Sequence, residues 1–152
     1  MNRYKSILFF SIIAFSGLAV PLSATTIPAG TAVVVKTTTH ISSRDHAGRS
    51  FQTQLARSLV ADGKVIVPAG ATITGVVKSP VVRVGSTTRP LTLRLTGIVI
   101  HGHSVPIKTD DLEMDDTSPW TVGRRGIQVT GSAYMISSGA VLQFRLKAPA
   151  EV

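Results

Sequence analysis

Past Thr25 the apolar stretches of this chain are short and are punctuated by glycine and proline. No window carries the long, capped stripe of period 3.6 that a buried helix requires. That punctuation points to β structure. Ala32 to Thr38 is rich in β-branched residues. Leu91, Leu93 and Leu95 alternate with Thr92, Arg94 and Thr96, and Leu142, Phe144 and Leu146 alternate with Gln143, Arg145 and Lys147. A period of two with one apolar face is the mark of a half-buried strand. Ala71 to Lys78 reads as another strand, with Gly75 as a bulge or a point of close backbone approach. Asp62-Gly63 between apolar runs is a tight-hairpin signal, and His101-Gly102 between Ile100 and Val105 suggests a second hairpin. Phe51 to Leu59 is open to both a helix and a strand reading. The expected fold is all-β, a β-sandwich or small β-barrel with short hairpins. Its expected core is Val33, Val35, Leu59, Ile66, Ile73, Leu93, Leu95, Ile107, Leu142, Phe144 and Leu146.

A turn recurs. Ile27-Pro28-Ala29-Gly30 leads into Val33, Val67-Pro68-Ala69-Gly70 into Ile73, and Ser137-Ser138-Gly139-Ala140 into Leu142. Each time a turn ending in glycine is followed three positions later by an apolar residue. Pro-Ala-Gly suits a type II turn, because proline presets φ and glycine accepts a positive φ. The unequal spacing of the three copies excludes a solenoid and fits repeated strand entries within one barrel or sandwich.

The first 24 residues are of another kind. Arg3 and Lys5 precede the apolar run Ile7 to Val20, and Pro21-Leu22-Ser23-Ala24 follows. This is the order of a secretory signal peptide, whose helical apolar part is shorter than the roughly 20 residues of a spanning helix. The expected division is therefore 1–24 as signal and 25–152 as one exported β-domain, periplasmic or secreted. An uncleaved anchor is the alternative. With no cysteine in 152 residues, a disulfide scaffold, a thiolate metal site and a cysteine nucleophile are excluded.

Without Arg3 and Lys5 the exported part keeps 14 of the 16 basic residues against all 8 acidic ones. Five of the acids cluster as Asp110, Asp111, Glu113, Asp115 and Asp116. A basic body beside one acidic loop favours an envelope protein, a second copy of the chain or an acidic envelope polymer as partner. Nucleic acid is disfavoured: past the signal the only aromatic residues are Phe51, Trp120, Tyr134 and Phe144, and no dense Lys/Arg run exists.

The segments Ile27-Pro28-Ala29-Gly30-Thr31, Ser42-Ser43 and Asp62-Gly63-Lys64-Val65-Ile66-Val67-Pro68-Ala69-Gly70-Ala71 carry a further likeness. Gly75, the Leu91 to Leu95 strand and the closing Gly139 to Leu146 stretch extend it. Together they resemble the C-terminal domain of TrbI-type conjugal-transfer proteins, which are channel subunits of type IV secretion systems. The resemblance covers most of Thr26 to Pro149 and rests on turn chemistry and strand alternation. It implies a periplasmic barrel-like β-domain that packs side by side into rings. The chain departs from the family between Asp110 and Tyr134. There the family carries an apolar helical hairpin, and this sequence has an acidic stretch followed by Thr117-Ser118-Pro119-Trp120-Thr121-Val122-Gly123-Arg124-Arg125-Gly126. A signal-type segment stands where the family has a long cytoplasmic and Pro-rich region. The chain thus reads as a shortened, exported relative.

Catalytic signatures are absent: there is no Gly-x-Ser-x-Gly elbow, His-Glu-x-x-His pair, phosphate loop or dinucleotide fingerprint. Asp45-His46 beside Ser42-Ser43 supplies hydrolase residue types without a triad's order or spacing. His101 and His103, two apart, would share a strand face and could hold zinc or copper with His40 or His46, while Gly102 between them favours a solvated hairpin tip. Asp110, Asp111, Glu113, Asp115 and Asp116 offer carboxylates for calcium without the spacing of a calcium loop. No cofactor is expected. The expected function is non-enzymatic protein contact, through Asp115 and Asp116 against Arg83, Arg89, Arg124 or Arg125 of a neighbour. An exported module for a small ligand or metal is the competing class. Export should leave a chain beginning at Thr25, readable by intact mass; full-length protein with Met1 in the membrane fraction is the outcome that favours the anchor.

Overall fold

The computed structural model describes residues 24–84, 87–114, 127–130 and 133–152; for 82–84, 87–89, 127–130 and 133–134 it describes the backbone. The signal-type segment before Ala24 lies outside the described residues. So do Asp115, Asp116, Arg124 and Arg125. Among the described residues there is no helix, and none therefore that is long and apolar enough to cross a membrane.

The strands in chain order are β1 (Thr26–Ile27), β2 (Ala32–Thr37), β3 (Ile41–Ser42), β4 (Ser50–Leu55), β5 (Leu59–Ala61), β6 (Lys64–Val67), β7 (Thr72–Ser79) and β8 (Val82–Val84). They continue with β9 (Thr87–Arg89), β10 (Leu91–Ile100), β11 (His103–Pro106), β12 (Leu112–Met114), β13 (Ile127–Thr130), β14 (Ala133–Ile136), β15 (Val141–Arg145) and β16 (Ala150–Glu151). The main sheet runs β11–β10–β7–β4–β2–β15, antiparallel throughout. Phe51 to Leu59 is thus a strand that ends at Leu55, with Leu59 opening the next. Glutamine and serine at the exposed positions 50, 52 and 54 alternate with buried Phe51, Thr53 and Leu55, the two-residue period of a sheet.

One turn builds four of the sheet's strands. Gly30, Gly48, Gly70 and Gly139 have φ of 83°, 89°, 90° and 90°. In each, the residue after the glycine donates its N–H to the carbonyl two residues before the glycine: Thr31 to Pro28, Arg49 to His46, Ala71 to Pro68 and Ala140 to Ser137. Each glycine then donates at 2.7 Å to a carbonyl on the neighbouring strand, of Leu146, Val77, Leu55 and Thr37 respectively. The N–H of that same residue returns a bond to the residue after the glycine, at 3.0, 2.9, 2.8 and 2.9 Å. Two residues thus oppose one, which is a bulge with glycine in the left-handed region. The pattern is reciprocal. The turn entering β2 docks on the end of β15 and the turn entering β15 on the end of β2; the turns entering β4 and β7 dock on each other's strands in the same way. The fourth copy, His46-Ala47-Gly48-Arg49, lacks proline yet keeps the spacing, with buried Phe51 three residues past its glycine.

A long edge closes the sheet. β11 pairs with Gly97 to Ile100 of β10, and β12 pairs farther along the same strand with Leu91 to Leu93. Between Pro106 and Leu112 the chain takes six residue steps against four on β10 opposite, from Gly97 to Leu93. The surplus bows outward and reaches β15: Asp110 N–H donates to Arg145 O at 2.8 Å, Lys147 N–H to Lys108 O at 2.8 Å, and Thr109 bridges Leu146. The sheet thereby curls into a barrel, the all-β architecture expected. Small ribbons lie outside the ring: β1–β16, β5–β6, β8–β9 and β13–β14–β3.

Leu91, Leu93, Leu95, Val33, Val35 and Ile73 lie at the centre, all fully buried. The expected core is buried apart from Ile66, which is half-buried against it, because β6 sits in an outlying ribbon with one face in solvent. After Leu95 the inward phase slips to Ile98, since the register with β7 shifts between Leu95 and Gly97. Gly75 sits beside this shift as a close-approach point: a Cβ there would lie 2.3 Å from Phe51 Cζ and 2.9 Å from Arg94 O. Gly75→Ala should therefore cost about 1–3 kcal/mol through overpacking, read as a lower urea midpoint with an unchanged m-value. An unaltered midpoint would refute the close packing of Phe51 on Gly75.

Candidate interaction surface

The segment that closes the barrel carries the acids Asp110, Asp111 and Glu113. Thr109 points inward, 1% exposed, and its Oγ1 accepts the Leu95 N–H at 3.1 Å. That satisfies a backbone donor on the edge of β10 between its pairings with β11, which end at Gly97, and with β12, which end at Leu93. Asp110 and Asp111 then both face outward, breaking the alternation, and Leu112 and Met114 turn back toward the core.

Asp111 is the side chain this arrangement places best. Its Oδ1 accepts from Arg94 Nε on β10 at 2.6 Å, and its Oδ2 from Lys78 Nζ on β7 at 2.8 Å. Lys78 reaches it because β7 carries one extra residue there: Ser79 pairs with Thr92 and Val77 with Leu93, which leaves Lys78 outside the ladder. Burial pushes the Asp111 carboxyl up, while the hydrogen bonds and charges of Arg94 and Lys78 outweigh it and hold the group below the usual carboxylate range. Beside it, Asp110, Asp111 and Leu112 diverge from Gln143, Phe144 and Arg145 and leave an open cleft of about 290 Å³.

The sequence-expected site residues separate in space. Asp111 is committed to cations of its own chain, leaving Asp110 and Glu113 as the exposed acids of the described part of the cluster. Arg83 and Arg89 lie on the β8–β9 ribbon, where Arg83 is opposite Thr88 and Arg89 opposite Val82. His101 and Gly102 form the tip of the β10–β11 hairpin, both with positive φ, so His101 belongs to the turn and does not share a strand face with His103. His101 borders a groove of about 400 Å³ with Thr25, Lys64, Val65, Ile66, Ile100 and Val152. His40 and His46 sit on exposed loops. Asp45 accepts the Ser42 N–H at 2.7 Å and pairs with Arg49, so it organises its own loop. Among the described residues no three His, Asp or Glu side chains converge on a metal position.

Arg94, Lys78 and Thr109 carry this surface and have no role assigned from the sequence. Arg94 was legible as an outward strand position. Lys78, one past buried Val77, was legible as outward too, and only its pairing with Asp111 depends on the fold. Thr109 gave a weak signal, a hydroxyl at an inward position two residues past Ile107.

No family model matches the sequence, and no curated protein matches it either. Among solved structures, the chain is similar to ComB10 of the Com type IV secretion system of Helicobacter pylori. The TM-score is 0.52 at 13% identity, over 82% of this chain and 88% of that one. The two share a fold. That is the fold which the resemblance to TrbI-type C-terminal domains implied.

Thr109→Val keeps the shape at the seam and removes the acceptor. It should destabilise the barrel by about 1–3 kcal/mol, the cost of a buried N–H left unpaired, with Thr109→Ser costing less. Chemical denaturation of the three proteins reads this, and equal stability of the valine and wild-type forms would refute the role given to Thr109.

Proposed function

We propose that this chain is an exported, non-enzymatic β-domain of the cell envelope that works through protein contact, with copies of itself or with a secretion-type assembly. The shared fold with a type IV secretion component carries the reading. Charge supports it: the exported part is basic, and five of its eight acids fall between Asp110 and Asp116 in the sequence. The sequence adds a signal-type N-terminus, which on this reading delivers the domain to the periplasm before removal after Ala24.

The contact we assign is electrostatic. Asp110 and Glu113 are exposed on the closing segment, and Asp115 and Asp116 follow in sequence; Arg83, Arg89, Arg124 and Arg125 are the basic counterparts on a neighbour. Asp111 takes no part, because Arg94 and Lys78 already engage it. Exposed pairs of this kind are screened over about 10 Å at 0.1 M salt and chiefly govern the rate and specificity of association.

Light scattering of the exported protein across a salt series tests this. Self-association should weaken as salt rises, and Asp115→Asn with Asp116→Asn should weaken it further at low salt. A monomer at every salt concentration that is stabilised only by added calcium or zinc would replace this reading with a ligand-binding module.

A further inference from the structure

We propose that Asp111 is a latch on the barrel's seam, and that loss of its negative charge releases the β12 segment from β10 while the rest of the barrel stays folded. The proposal concerns this chain's own conformation and stands whether or not the domain joins an assembly.

The seam is held by short ladders. β12 meets β10 over three residue pairs, Leu91↔Met114 to Leu93↔Leu112, and the bow meets β15 through one bridge and two flanking hydrogen bonds. Six registered pairs join β10 to β7, and five join each of β4–β7 and β2–β15; β2–β4, with three, is as short as β10–β12 but has neighbouring strands on both sides. Just past the bow the closing segment and β15 part to form the cleft, so β12 is described with ladder support on its β10 side alone. At this point one carboxylate ties three strands, its own segment to β10 through Arg94 and to β7 through Lys78.

The charges around the latch decide the direction of its response. Arg94 and Lys78 approach Asp111 from β10 and β7, and Arg145 of β15 lines the same cleft. Asp110 and Glu113 flank it on its own segment, and Lys108 precedes them. With Asp111 ionised, two cations share one anion. With Asp111 neutral, Arg94 and Lys78 face each other without it. A carboxyl held below its usual range when folded contributes stability above the unfolded value of about 3.9 and loses it as pH falls through the folded value. Opening therefore accompanies acid, and high salt weakens the latch at any pH because the pair is partly exposed. Release would bare Leu91, Leu93 and Met114, each at most 1% exposed when closed.

Amide hydrogen exchange of the exported protein, followed by segment and corrected for intrinsic pH dependence, tests the latch. Asp111→Asn should speed exchange of the segments containing 91–93 and 112–114 about tenfold at pH 7, with the β4–β7 ladder unchanged. Acidifying the wild type below the usual carboxylate range should move the same segments in the same direction, and the variant should respond less over that range. Lys78→Met, which leaves Arg94 in place, should give a smaller increase in the same segments. Unchanged seam exchange in both variants would overturn the proposal. So would acceleration spread evenly over the whole barrel, which would make Asp111 a contributor to global stability alone.

Discussion

A pair of hydrogen bonds between a left-handed glycine and the end of a neighbouring strand sets the geometry of this barrel. The glycine N–H gives one bond and the residue after it receives the other, from a single buried residue across the ladder. An antiparallel strand entering a curved sheet must begin next to the end of its partner, where register is easily lost. The bulge pins that register, and the twist it adds helps the sheet curl. β2 with β15 and β4 with β7 each hold both ends this way, so two strand pairs of the ring are fixed in register independently of the closing segment. β10 takes its register from β7, with two shifts, and on its other edge Thr109 of the closing segment serves the Leu95 N–H.

The consequences for function run through the seam. The closing segment carries Asp110, Asp111 and Glu113. There the extra residues of the closing segment bow out, and the acidic cluster of the sequence begins. The structure divides that cluster by role, with Asp111 turned to the chain's own cations and Asp110 and Glu113 turned to solvent. Reading the cluster as one acidic loop missed this division. Charge composition says how many carboxylates are present, whereas a partner one strand over and a bulge two strands over decide which of them is free.

What the amino-acid sequence determined by itself was local. Leu91, Leu93 and Leu95 against Thr92, Arg94 and Thr96 define a strand and its inward face; Asp62-Gly63 and His101-Gly102 define hairpin tips; and glycine followed by an apolar residue three places on defines the strand entries. Each depends on φ preferences and side-chain period within a few residues, so it can be read without knowing the fold. The tertiary structure decided the rest: the strand order, the reciprocal docking of the turns, the closure through Lys108 to Asp110, and the assembly of Asp111 of the closing segment with Arg94 of β10 and Lys78 of β7. Those contacts join residues 14 to more than 100 positions apart. Their existence follows from which backbone edges remain unpaired once the sheet curls, and no short stretch of sequence records that.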